Sequence, residues 1–255
     1  MSISGITTGG IICDPSSVTI SVTVEAQLAG TIQAQETLTG IITEDCAAAA
    51  FDVLTFAALP ATSLEVGDTV ATPSFSATYN RTPTNADLTD DDGSPSKDVT
   101  ATPAAFNSDG TFSKTANNSS VTFTLTADDG DAPDSSLVVF TWRPRIFTGI
   151  TNLPGPYSEA EVEALITQGL SSSAAFSGSM SPVIQYIVHA YPDPYGPLLP
   201  TNFQIGDFGP GDMTEIQTGL AITNAFGSTQ NYRVARSDNL IDTTITGPIS
   251  FTVTP

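Results

Sequence analysis

Apolar residues recur at every second position through most of this chain. In "SVTFTLTA" (Ser120 to Ala127), Val121, Phe123 and Leu125 alternate with Thr122, Thr124 and Thr126. That is the period of a strand with one face in a core and the other in water. The same period marks "DVLTFAAL", "SLEVGDTV", "PSFSATYN", "NADLTD", "KDVTAT", "GTFSKTA" and "LVVFTWRPRIF" between Phe51 and Phe147. Turn clusters separate these runs at intervals of about 8–12 residues, the spacing of a β-sandwich. Trp142, the sole tryptophan, lies in the last run and reads either as the anchor of this core or as an interface residue.

The first residues carry a weak glycine repeat. "SGITTGGII" (Ser4 to Ile12), "LAGTI" (Leu28 to Ile32) and "LTGII" (Leu38 to Ile42) each place glycine beside β-branched residues. "VTISVTVEAQL" alternates, with Val18, Ile20, Val22 and Val24 on one face. So short a segment buries little by itself. It reads as strands that pair with a second copy or a neighbouring subunit, or as a hairpin packed on the next domain. "EDCAAAAF" (Glu44 to Phe51) marks its end.

After "WRPRIFTGITNLPGPYS" the period changes. Ser158, with Glu161 three residues on, forms a capping-box pattern. Val162, Leu165 and Ile166 share a helical face, and Gly169 stands where a helix stops. One short helix is predicted over 159–168. Strands resume in "PVIQYIVHAYP", "TNFQIGD", "MTEIQTGLAITNAFG", "TQNYRVARS" and "ISFTVTP", with a β-turn at "NAFGSTQ". The expected fold class is therefore all-β. It comprises a β-rich docking or oligomerisation segment over 1–48, a β-sandwich over 49–147 and a C-terminal β-sandwich domain with the helix over 148–255.

Charge narrows the function classes. The 27 acidic and 7 basic residues leave a net charge of −20. Such a surface repels nucleic-acid phosphates and anionic lipid. No apolar run reaches the ~18 residues needed to span a bilayer. The N-terminus lacks a positive charge and a compact apolar core, so no secretory signal is expected. Cys13 and Cys46 read as two small buried thiols or as a pair; they lack the further ligands of a zinc site.

Candidate chemistry is sparse. "DLTDDDG" (Asp87 to Gly93) echoes a calcium loop, but with Gly93 at the sixth position the first falls on Leu88, which has no ligand oxygen. "DDGDAPD" (Asp128 to Asp134) fails likewise. These loops read as hairpin punctuation, with Asp and Asn capping turns; no cofactor is expected, and a loop calcium ion is the lesser alternative. The one histidine, His189, shares a strand face with Ile187 and Tyr191 and reads as a strand histidine hydrogen-bonded at an interface. No Gly-x-Ser-x-Gly elbow or phosphate loop is present. Four of the seven basic residues, Arg143, Arg145, Arg233 and Arg236, fall in two short segments. They either pair locally with surface acids or lock domain to domain or subunit to subunit. Tyr191, Tyr195 and Phe208 form the one aromatic cluster suited to a surface ligand such as a glycan.

"SLEVGDTVATPSFSATYNRTP", "KTANNSSVTFTLTADDG", "TWRPRIFTGI" and "QYIVHAYPDPYG…FQIGDFGPGDM…ITNAFGSTQNYRVARS" together resemble the immunoglobulin-like modules of virion structural proteins of tailed bacteriophages. In that family a "YYAYP" segment, a "GGF"-like segment and a closing "TNAFG…NYYVYRS" segment recur. The likeness covers roughly residues 60 to 237, and here the closing motif reads "YRVARS" rather than the aromatic-rich form. The resemblance implies tandem Ig-like β-sandwich domains in a non-enzymatic tail, baseplate or fibre component for assembly or host-surface attachment. It implies other virion proteins as partners and a homo-oligomer, trimeric in a fibre. A host cell-surface glycan is a further candidate ligand, through the aromatic cluster, while the acidic charge and the lack of a spanning apolar run argue against nucleic acid and membrane insertion. Location in the virion after assembly in the host cytoplasm makes the sequons at Asn80, Asn117 and Asn118 chance matches. A head decoration or head fibre protein, a bacterial carbohydrate-binding adhesin module, and a hydrolase with carboxylates on sandwich loops remain alternatives.

Overall fold

The structure is a computed structural model that describes residues 18–28, 31–42, 50–206, 213–244 and 247–255. Cys13, Cys46, Phe208 and the "SGITTGGII" segment lie outside the described residues. The chain divides into two compact units, Met1–Ala50 and Phe51–Pro255.

In the first unit β1 (Val18–Leu28) runs antiparallel to β2 (Thr31–Ile42). The register pairs Val18 with Ile42 and Val24 with Glu36, and shifts between Ala26 and Gln27. Among the described residues of this segment the two strands pair with each other.

The second unit is all-β apart from one short helix and holds two lobes. In the first lobe β4 (Ser63–Glu65), β12 (Asp134–Arg143), β11 (Ser119–Asp128), β7 (Asn85–Asp90) and β8 (Lys97–Asp98) form one sheet in that order. β4 is parallel to β12, and the other pairs are antiparallel. A second sheet, β3 (Val53–Ala58), β6 (Ser74–Tyr79) and β9 (Ala105–Asn107), faces it. β5 (Thr69–Ala71) pairs with β10 (Thr111–Ser113). The alternation of β11 does what its pattern requires: Val121, Phe123 and Leu125 are buried. Across the gap the Phe75 ring of β6 lies 4.9 Å from Phe123, which also meets Phe112 at 4.9 Å and Phe140 at 5.5 Å. Trp142 is fully buried in this core and donates its indole N–H to the Asp68 carbonyl at 2.8 Å. "SLEVGDTV" is two strands rather than one, because Gly67 takes a left-handed φ of 86° between them.

The second lobe is built in three layers. Its large sheet runs β14 (Thr167–Leu170), β13 (Arg145–Thr151), β16 (Val183–Pro192), β19 (Thr229–Ser237) and β18 (Met213–Thr223), with β20 (Ile241–Asp242) also pairing with β16. One face, carrying Ile187 and Tyr191, packs on a three-stranded sheet of β15 (Phe176–Met180), β21 (Ile249–Val253) and β17 (Phe203–Ile205). The other face, carrying Phe147, Val188, Tyr232 and Val234, is covered by Tyr157, Val162 and Leu165. Both faces of β16 are therefore buried from Ile187 to Pro192, and the alternation rule does not apply there.

Two expectations are corrected. The helix, α1, spans Glu159–Glu163 rather than 159–168. Its start is as predicted: the Glu161 carboxylate accepts from the Ser158 backbone N–H at 2.7 Å and hydroxyl at 2.8 Å, and these bonds lower the Glu161 pKa. Beyond Leu165 the chain turns extended. Thr167–Leu170 pair with β13, leaving Ile166 81% exposed and Gly169 inside a strand. Closing the sheet edge satisfies more backbone groups than another helical turn would, so tertiary pairing overrides local propensity. The lobe boundary falls at Pro144, since Ile146 and Phe147 already pack in the second lobe; the pattern had placed it after 147.

Candidate functional site at the junction of the lobes

The chain crosses between lobes once, through Trp142, Arg143, Pro144 and Arg145. Proline has no N–H to continue the ladder, and there β12 ends and β13 begins. Three contacts bridge the crossing. The Arg145 guanidinium of the second lobe binds the Glu65 carboxylate of the first through Nε at 2.8 Å and Nη2 at 2.7 Å. The Glu65 side chain is only 6% exposed, whereas that of Arg145 is 40% exposed. The hydrogen bond to Glu65 is the chief cause that raises the Arg145 pKa. Asn224, in the turn between β18 and β19, donates its amide to the Val66 carbonyl at 2.6 Å. Its side-chain oxygen accepts from the backbone N–H groups of Phe226 and Ser228. One asparagine thus shapes the turn and ties it to the other lobe. At the far side, Asn118 donates to the Ser172 carbonyl at 3.1 Å.

Close approach makes Gly67 necessary. A Cβ built there would lie 2.9 Å from the Ser228 Cβ, on a backbone that L-residues avoid. Between the contacts lies a cleft of about 210 Å³ bordered by Glu65, Val66, Phe147, Gln168, Gln230 and Tyr232. The Tyr232 hydroxyl donates to the Arg145 carbonyl at 2.9 Å, and burial raises its pKa well above the usual phenol range.

The four arginines singled out in the sequence separate into different roles. Arg145 spans the lobes. Arg143 lies half-buried at the same crossing, with its Nε buried and unbonded and no carboxylate within ion-pair distance among the described residues. Arg233 pairs inside the second lobe, with Glu215 at 2.9 Å and Asp193 at 3.6 Å. Arg236 also stays within that lobe: it bonds the Pro154 and Ser237 carbonyls and lies 4.3 Å from the centre of the Tyr186 ring. Glu65 and Asn224 were not singled out. A lone acid between Leu64 and Val66 was the available signal for the first; the second was visible only as a turn residue.

Of the aromatic cluster, Tyr191 and Tyr195 do not form a surface platform. Tyr191 is fully buried, stacks on His189 with ring centres 5.4 Å apart, and donates to Glu215 at 3.0 Å. Tyr195 is half-buried and donates to the Ser171 carbonyl at 2.6 Å. His189 lies inside the second lobe rather than at an interface. Its Nε2 meets the Ala174 carbonyl at 2.9 Å and its Nδ1 the Thr148 hydroxyl at 2.8 Å. A carbonyl only accepts, so Nε2 carries the proton and Nδ1 accepts from Thr148. Burial lowers the His189 pKa to about 4, outweighing the Ala174 bond, which raises it. A neutral imidazole with both nitrogens occupied and no exposed edge has no proton to exchange with a substrate.

The acidic loops are spent on turns and ion pairs. Asp90 accepts from the backbone of Asp92 and Ser94, and Asp128 from Asn85 and Gly130. Asp129 and Asp131 hold Arg81, Asp92 holds Lys114, and Asp109 holds Lys97. Among the described residues no three His, Cys, Asp or Glu side chains converge as a metal site would.

Comparison of the chain with protein-family models, with curated proteins and with solved structures finds no match.

The bridging pair makes a measurable demand. Arg145→Met leaves Glu65 buried without its cation. Stability is expected to fall by about 2–3 kcal/mol, less than for a fully enclosed pair because water reaches Arg145. The double variant Glu65→Leu/Arg145→Met is expected to recover most of that loss. Urea unfolding of the wild type, both single variants and the double variant checks this, and a double variant as unstable as Arg145→Met would contradict it.

Proposed function

We propose that this chain is a non-enzymatic structural component of a tailed-bacteriophage virion, built from tandem Ig-like β-sandwich domains. Its place is the tail, baseplate or fibre, where it mediates assembly or attachment to the host surface. The observation that carries the reading is the junction. Two β lobes are tied across their crossing by the Glu65–Arg145 pair, whose acid is buried and whose guanidinium is partly exposed, and by Asn224 on the Val66 carbonyl, contacts that restrict motion at the crossing. Load-transmitting appendages need such ties, because lobes joined by a small polar interface move relative to each other unless specific contacts hold them. The resemblance of residues 60 to 237 to virion modules supplies the biological setting. The conspicuous polar groups are engaged within the fold, as turn caps around Asp90 and Asp128 and as ion pairs around Arg81 and Arg233.

Immunogold electron microscopy of purified virions, using antibody raised against the chain, tests the reading. Gold on the tail, baseplate or fibres is the expected result, and gold on the capsid would transfer the chain to the head. Particles that carry no gold while host lysate does would remove the proposal.

A further inference from the structure

β15 lies at the outer edge of the three-stranded sheet, paired only with β21 among the described residues. Proteins usually guard such edges with lysine, proline or a bulge. Here the edge reads Phe-Ser-Gly-Ser-Met, and it lies within 164–192, the longest run of the chain without an acidic residue, lysine or arginine. The outer face of the sheet is equally neutral. Ser177 and Ser179 of β15 stand in register with Thr252 and Ser250 of β21, and Gln204 of β17 pairs with Thr252 from the other side. Just past β15, Val183 and Ile184 are 52% and 59% exposed, and Ile184 holds a φ of 54° that β-branched residues avoid.

We infer that the open edge of β15 is a self-association surface, and that its occupant is the β15 of a second copy of this chain. Charge selects the occupant. Two molecules of net charge −20 repel wherever their acidic loops approach, and a basic partner would seek those loops rather than a neutral strand. Only a charge-free strip lets like copies meet without that cost. The strand is also symmetric about Gly178. Antiparallel pairing on a two-fold axis there sets each Ser177 opposite the partner copy's Ser179, and each Phe176 opposite the partner copy's Met180. Such a contact is isologous and closes on itself. It joins two three-stranded sheets into one of six and removes both edges. A Cβ at Gly178 would lie 2.7 Å from the Phe176 ring, so glycine leaves room for that ring to lie over the strand. The inference gives two copies a specific two-fold surface, a dimer contact rather than the three-fold of a fibre, and rests on the proposed reading for the presence of many copies together.

Sedimentation equilibrium of the full chain tests it. Wild type is expected to self-associate in the micromolar range, and Ser177→Glu/Ser179→Glu to weaken that association at least about tenfold. Ser96→Glu/Thr126→Glu, which adds the same charge on exposed positions of the first lobe, is expected to associate as wild type does. Should the glutamates on β15 shift the urea midpoint, Ser177→Lys/Ser179→Lys replaces them with the same expectation. A wild type with the mass of one chain up to about 100 µM overturns the inference. So does association that ignores the β15 variants, an outcome that moves the contact elsewhere and leaves the virion reading standing. Virions without gold would remove that reading while leaving the β15 measurement unaffected.

Discussion

Phe123→Ala is expected to destabilise the first lobe by about 3–5 kcal/mol, the range for truncating a fully enclosed aromatic side chain. Phe123 is buried at the centre of its lobe and touches rings from three other strands, Phe75 of β6, Phe112 of β10 and Phe140 of β12. Those rings cannot collapse together into the space, because each is held by its own strand. The loss therefore includes a cavity as well as the transferred area. Trp142, the sole tryptophan, lies in the same core and supplies a fluorescence signal confined to this lobe. With a urea slope of about 2 kcal/mol per molar, the midpoint is expected to fall by roughly 2 M. Leu137 is 61% exposed on the neighbouring strand β12, and Leu137→Ala is expected to change the midpoint by less than about 0.3 M. Equal effects from the two substitutions would show that the sheets do not meet at Phe123.

Acid is expected to weaken the second lobe at a pH above that at which Glu161 and Asp242 lose their stabilisation. His189 is buried and neutral, with a folded pKa of about 4, against about 6.5 in an unfolded chain. Between those values the unfolded state binds the extra proton, so stability falls as pH falls. The contribution is complete above pH 6.5, about 2 kcal/mol is lost by pH 5, and about 3 kcal/mol by pH 4. Asp98, Asp128, Asp134, Glu161 and Asp242 have lowered pKa values from hydrogen bonds to their carboxylates. Their stabilisation is present above the ordinary carboxylate range and is lost only as pH falls through the lowered values, so the two windows separate. His189→Gln keeps a donor for Ala174 and an acceptor for Thr148 but cannot titrate. Its stability is expected to stay flat from pH 6.5 to 5, where wild type declines. Urea unfolding followed by near-UV dichroism of the tyrosines, five of six of which lie in this lobe, measures both proteins. A wild type whose stability is also flat over that window would place His189 in contact with water.

Strands that carry one apolar face were legible residue by residue. "NADLTD" is β7 and "TQNYRVARS" is β19, because each bounds its own alternation with turn-forming residues. Strands made of small polar residues were not. β15 holds Ser177, Gly178 and Ser179, whose intrinsic preference is for turns, and becomes a strand only because β21 supplies hydrogen bonds. β14 was hidden inside a helical pattern for the same reason: its partner β13 is invisible to a local reading. The junction was half legible. Two arginines around a proline pointed to it, but Glu65 lies eighty positions from Arg145, and no short-range pattern links them. Tyr191 misled because an aromatic beside prolines in a polar loop suggests a surface, whereas β16 is covered on both sides.

The order of the strands also sets a timetable for synthesis. The first lobe is complete once residue 143 has been made, so it can close while the ribosome is still reading the second. The second cannot follow step by step. Its small sheet is organised around β21, the last strand, with β15 and β17 hydrogen-bonded to either side of it. The surface that Tyr157, Val162 and Leu165 cover is likewise incomplete until β18 and β19 have been made. For about a hundred residues of translation, at 5–20 residues each second, these apolar groups lack part of their native surroundings. Chaperone demand should therefore concentrate on this half of the nascent chain, and a stop codon ahead of residue 249 should shift the product toward the aggregated fraction.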